Sequence, residues 1–94
     1  MRVLLAAAVA FGSIAPALAA PPPAGAAACS GCHAASAGVA SPVPRLAGLN
    51  PADFVKAMQE FRAGKRSATV MDKIAKGFTD DEVQAIATWY ASQK

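Results

Sequence analysis

The chain has 94 residues, with nine lysines and arginines against six acidic residues and a formal net charge of +3. That balance, about +2 once Arg2 leaves with a leader peptide, is too weak for a nucleic-acid binder, and no basic stripe interleaved with aromatics accompanies it. Two cysteines and one histidine are too few for a four-ligand zinc site, and the length suits one small domain whose core needs a staple or a cofactor.

Met1-Arg2 supplies a positive start, Val3 to Ala15 an almost unbroken apolar run, and Ala17-Leu18-Ala19 small residues at the cleavage positions. The pattern predicts a secretory signal peptide over residues 1–19, cut after Ala19, because a cut one step later puts Pro21 just behind the scissile bond. The run is short of the roughly 20 residues of a membrane span and is interrupted by Gly12, Ser13 and Pro16, so a retained anchor is the weaker reading. Residues 20–94 are then an exported, periplasmic domain with no stable membrane insertion.

Pro21-Pro22-Pro23 is a stiff spacer, and Ala24 to Ala28 reads as a short helix running into Cys29-Ser30-Gly31-Cys32-His33. In this Cys-x-x-Cys-His run the two thiols can form thioethers with the vinyl groups of a haem while the imidazole reaches the iron, so one pentapeptide tethers and ligates the cofactor. The competing readings are a thioredoxin-like dithiol, a structural disulfide and half a zinc site. A dithiol enzyme wants the motif at a helix start after a strand, and no β-branched run precedes it here. Zinc lacks two further ligands.

Residues 34–49, rich in Ala, Ser, Gly and Pro, form a loop, since Pro42 and Pro44 forbid a long helix. Asn50-Pro51-Ala52-Asp53 is a helix start: an N-cap side chain, proline at the first helical position and an acid in the first turn. Phe54, Ala57, Met58 and Phe61 then share one buried face. Gly64 ends that helix, and Lys65-Arg66-Ser67 is a basic connection. Ala68 to Met71 leads into a short helix over Asp72 to Lys76, with Gly77 expected as a left-handed C-cap. Thr79 to Glu82 is a capping box opening the last helix. Val83, Ile86, Ala87 and Tyr90 form the buried stripe of that helix, with Trp89 at its edge. The fold class is all-α, with about four short helices wrapped around one covalently bound haem.

With His33 as the proximal ligand, Met71 is the expected partner on the other side, because it stands where a loop enters a helix well downstream of the motif. Met58 is the competitor, but it shares a helix face with Phe54 and Phe61 and is read as core. A soft thioether favours ferrous iron and suits electron transfer. A catalytic haem protein with an open distal site is the rival class of function, and it lacks a second histidine to serve that site. No catalytic residue is expected in the chain.

Cys29 to His33, Pro44 to Gly48, and Ala68-Thr69-Val70-Met71 with a final amphipathic helix resemble the class I c-type cytochromes along the whole exported domain. More narrowly, Phe61 to Arg66 and Ala68 to Phe78 resemble the cytochrome subunit of flavocytochrome c sulfide dehydrogenase. The resemblance implies a one-electron carrier with haem c, His33 and Met71 as axial ligands, and the Pro44 carbonyl as acceptor for the second nitrogen of His33, fixing its tautomer. It also implies an FAD-containing sulfide dehydrogenase subunit as electron donor, a freely diffusing carrier serving other redox proteins being the alternative. Lys65, Arg66, Lys73 and Lys76 flank Met71, and they can steer an acidic partner or simply form a solvated face. In one respect the chain departs from the family, whose first helix is usually longer and often carries a bulky residue packed on the last. Only Gly25 and alanines stand there in this chain, and Trp89 and Tyr90, read first as core, are available to fill the gap.

Overall fold

The computed structural model describes residues 3–15 and 20–93. The proposed cleavage residues Ala17, Leu18 and Ala19, and Met1-Arg2 of the basic start, lie outside these. Val3 to Ala15 has no regular secondary structure and is exposed throughout. Among the described residues, no helix is long and apolar enough to cross a membrane.

Four helices follow one another: α1 (Ala26–Cys29), α2 (Pro51–Arg62), α3 (Met71–Ala75) and α4 (Asp80–Ala91). The described residues contain no strand, so the all-α expectation holds. Helix α2 starts as its sequence dictates: Asn50 is extended, and its side chain accepts from the N–H groups of Ala52 and Asp53. These are two of the donors that a helix start leaves without intrahelical partners. Helix α4 has both halves of its capping box, with Thr79 Oγ1 accepting from the Glu82 N–H at 3.2 Å and the Glu82 carboxylate from the Thr79 N–H at 3.0 Å. That second contact holds the Glu82 carboxyl below its ordinary range.

Three boundaries differ from the sequence expectation. Helix α1 begins at Ala26 rather than Ala24, because Gly25 sits at φ +86° as its N-cap. A side chain there would also meet the Phe78 ring at 2.5 Å, so glycine is required twice over. Met71 is the first residue of α3 rather than the residue before it. Gly77 is not left-handed; the positive-φ glycines are Gly25, Gly48 and Gly64. After α3 the chain leaves through short turns, Gly77 N–H to Ile74 O at 3.0 Å and Phe78 N–H to Ala75 O at 3.4 Å. These satisfy the last carbonyls within the right-handed region. The left-handed cap falls one helix earlier, at Gly64 (φ +71°), where Gly64 N–H reaches Phe61 O and Lys65 N–H reaches Glu60 O, the paired bonds of a Schellman turn.

Both α3 and α4 pack against α2. Phe54 and Met58 from α2, Ala75 from α3, and Val83, Ile86, Ala87 and Tyr90 from α4 are buried, and Ala26 is the contribution of α1. All four residues of the expected α4 stripe are therefore inside. On α2, Ala57 and Phe61 are only half-buried. The Phe54 and Tyr90 rings stack at 6.2 Å, and Trp89 meets Tyr90 edge-on at 4.9 Å. The gap left by the small residues of α1 is filled from α4: the buried Tyr90 hydroxyl donates to the Ala26 carbonyl at 2.6 Å. Trp89 Nε1 donates to the Ala20 carbonyl at 3.1 Å.

Candidate haem-attachment site

The backbone of the motif keeps turning after α1 ends. Gly31, Cys32 and His33 donate back to Ala28, Cys29 and Cys29 in turn, which winds two thiols and an imidazole onto one short coil. Both cysteines are free thiols, Cys29 half-buried and Cys32 exposed. Cys29 Sγ lies 3.6 Å from the Gly25 carbonyl. Burial pushes the Cys29 thiol up, against the opposing pull of hydrogen bonds from its own backbone and from the Tyr90 hydroxyl. Burial, with the nearby Cys29 as a second cause, likewise raises the Tyr90 phenol.

His33 Nδ1 and the Pro44 carbonyl are 2.5 Å apart. A carbonyl can only accept, so Nδ1 carries the proton and Nε2 keeps its lone pair free for a metal. The loop between them is clipped a second time by Arg45 Nε donating to the Ala35 carbonyl at 3.0 Å. Its far end is tied to α4 through Gly48 N–H to Tyr90 O at 2.9 Å. Arg45 was not singled out as a site residue; its signal is that it is the one charged side chain in the stretch from Ala34 to Asn50.

Met71 is half-buried at the start of α3 and packs on the core, whereas Met58 is buried within it. Met58 is thus core, as the face it shares with Phe54 leads one to expect. Val70 and Ile74, which flank Met71, are 51% and 41% exposed, and Val39 in the loop after the motif is 56% exposed. Apolar side chains left open next to Met71 suit a surface that an apolar group covers.

The donor set fits haem c on its own chemistry: two unpaired thiols in one turn, an imidazole with Nε2 free, and a half-buried thioether. It does not fit zinc, since among the described residues no group of three or more His, Cys, Asp or Glu could hold a metal. Of the basic residues near Met71, Arg66 is not free to steer a partner. Its Nε donates to Glu60 at 3.1 Å, and its guanidinium lies 5.4 Å over the Phe61 ring. Lys65, Lys73 and Lys76 are exposed.

No family model matches the chain. It is 34% identical over 64 residues to the cytochrome subunit of sulfide dehydrogenase from Chlorobaculum tepidum, a match covering 68% of this chain and 58% of that protein. It is 42% identical over 62 residues to a thiosulfate dehydrogenase electron acceptor from Stutzerimonas stutzeri, covering 64% of this chain and 29% of that protein. To cytochrome c4 of Pseudomonas aeruginosa it is 35% identical over 70 residues, covering 73% of this chain and 35% of that protein. The chain thus spans little more than half the length of the first of these relatives and about a third of the other two.

Proposed function

The chain is a c-type cytochrome by its likeness to these proteins, and on that premise we propose that it works as a periplasmic one-electron carrier with a single covalently attached haem c. When bound, haem c supplies a ferric/ferrous couple, and no proton-transfer residue is required of the protein. Cys29 and Cys32 offer the thiols for the two thioethers. His33 presents Nε2, with its ring fixed by the Pro44 carbonyl. Met71 would hold the haem iron through its thioether, which would favour the ferrous state and keep small ligands out. The observation that carries this reading is the contact between His33 Nδ1 and the Pro44 carbonyl, because it sets the tautomer that a metal requires.

Two measurements test the assignment. The exported protein should keep its haem through acid-acetone extraction and a denaturing gel; loss of haem would overturn the roles of Cys29 and Cys32. The ferric protein should show the weak near-infrared sulfur-to-iron band, and Met71→Ala should abolish it and lower the potential. The leader is tested separately by N-terminal sequencing, with Ala20 expected as the first residue of the exported chain.

For the partner, we infer an FAD-containing sulfide dehydrogenase subunit that passes electrons singly to this chain. Its support is the similarity to the Chlorobaculum tepidum subunit and the stretches Phe61 to Arg66 and Ala68 to Phe78. A freely diffusing carrier is favoured by one specific observation, the exposure of Lys65, Lys73 and Lys76, which suits salt-sensitive steering of an acidic partner. Co-expression with the flavoprotein followed by gel filtration at high salt decides between them. A yellow complex supports the subunit, and a lone monomer leaves the diffusing carrier.

A further inference from the structure

Helix α3 packs against α2, but it is short. It spans only Met71–Ala75, its N-cap Val70 makes no side-chain cap, and Ala75 is its buried residue. A helix this short has no stability of its own in water, yet it carries the side chain whose position matters most. Besides that packing, the chain on either side of α3 is fastened to the C-terminal end of α2. On one side, the Schellman turn at Gly64 sends the chain back so that Arg66 lies over α2, with Nε on the Glu60 carboxylate at 3.1 Å and its guanidinium over the Phe61 ring. On the other side, Arg62 Nη2 donates to the half-buried Phe78 carbonyl at 2.8 Å, and Nη1 donates to Asp80 at 2.6 Å in the first turn of α4. Met71 lies between these two fastenings.

We propose that Arg62 and Arg66 are positioning residues that clamp the Met71 segment at both ends and so set how firmly its thioether is presented. The proposal rests on the reading of Met71 as an axial ligand. The two arms of the clamp act differently. The Asp80 carboxylate is 77% exposed, and an ion pair in that setting contributes little. The weight at the far end therefore falls on the Phe78 carbonyl, which loses its charged donor when Arg62 is replaced. A planar guanidinium reaches two acceptors at once in fixed geometry, whereas an ammonium does not. Arg66 acts through its contacts with Glu60 and Phe61, which hold the chain leaving Gly64 against α2 and fix where the next residues start.

The test uses the ferric holoprotein titrated with imidazole, an external ligand that must displace Met71, while the near-infrared sulfur band is followed. Arg62→Gln should raise the apparent imidazole affinity about ten-fold, the size expected for losing a charge-assisted hydrogen bond to a half-buried carbonyl, and Arg66→Gln, which loses a more exposed ion pair and the contact over Phe61, about three-fold. Arg62→Lys should restore part of the difference, and Asp80→Asn should change the affinity by less than about two-fold. Thr79→Ala, which removes only a helix cap, should lower the melting temperature and leave the imidazole affinity where it was. Both arginine variants binding imidazole as weakly as the wild type, with the band intact, would overturn the clamp and leave Met71 as the ligand. A wild type with no sulfur band, or Met71→Ala with unchanged imidazole affinity, would overturn the Met71 reading itself and the clamp with it. Should Arg62→Gln fail to fold, the half-exposed Arg66→Gln still gives either result.

Discussion

Residues 20–49 contribute the four-residue α1 and one buried apolar residue, Ala26, whereas residues 50–93 contribute three helices and the other seven buried apolar residues. The chemistry is divided the other way. Both thiols, the imidazole and the Pro44 carbonyl belong to the first region, and only Met71 to the second. The donor-bearing region is joined to the packed one by three hydrogen bonds, Tyr90 to Ala26, Gly48 to Tyr90 and Trp89 to Ala20, and by Cys29 and Leu46 packed on the core. A region with so little apolar burial has almost no hydrophobic stabilisation of its own. Its order depends on what joins it to α4 and on the cofactor that Cys29 and Cys32 are proposed to bind. The second region carries nearly all of the packed core.

The sharpest way to break this contrast is to remove a proposed tether. Cys29→Ala or Cys32→Ala should leave residues 20–49 exchanging their amide hydrogens freely while amides of α2 and α4 keep some protection, as read by hydrogen exchange. Equal protection in both regions would mean that the first region is stable without its tethers.

Next in size is the packed region. Met58→Ala should cost about 2–5 kcal/mol in chemical denaturation, the range for emptying a buried site, and keep the near-infrared sulfur band. The reverse pattern would exchange the roles of Met58 and Met71.

A smaller effect is expected at the junction. Tyr90→Phe keeps the stacked ring and removes the hydrogen bond to Ala26, so it should cost about 1–3 kcal/mol through the carbonyl left unpaired. It should also raise amide exchange in α1 more than in α2. Uniform exchange changes would show that the hydroxyl does not couple the two regions.

The smallest effects belong to the start of α4. Thr79→Ala should cost about 0.5–2 kcal/mol with the haem spectrum unchanged. The Glu82 carboxyl is held below its usual value of 4.5, chiefly by the Thr79 backbone N–H. Its stabilisation is therefore full above the unfolded value and lost as pH falls through the lower, folded one. Melting curves from neutral pH into the acid range should show a steeper fall for the wild type than for Glu82→Gln. Identical slopes would mean that the N–H contact does not persist in solution.

Much of this was legible along the chain because the signals are local. The capping box at Thr79, the N-cap at Asn50 and the α4 stripe each depend on residues within two turns of one another, where side-chain spacing alone decides which groups can meet. The Cys-x-x-Cys-His run is local in the same sense. Gly77 was misread for an instructive reason: a glycine after a helix permits a left-handed residue, but whether one is used depends on where the chain must go next, and here short right-handed turns lead into Thr79. Gly25 is the converse case, a residue in an alanine-rich run that is left-handed and lies against the Phe78 ring far along the chain.

The sequence by itself determined the helices, the apolar faces they bury and the donor types available for a cofactor, since these follow from periodicity, capping and side-chain chemistry over a few residues. Only the tertiary structure decided which carbonyls the other long side chains reach, Ala35 for Arg45, Phe78 for Arg62 and Ala26 for Tyr90, whereas Pro44 for His33 was already implied by the family resemblance. Backbone carbonyls are the same in every residue, so a sequence carries no mark of which one a distant donor will find. That choice is made by loop closure and helix packing, which bring one carbonyl into reach and leave the others to water or to their own helix.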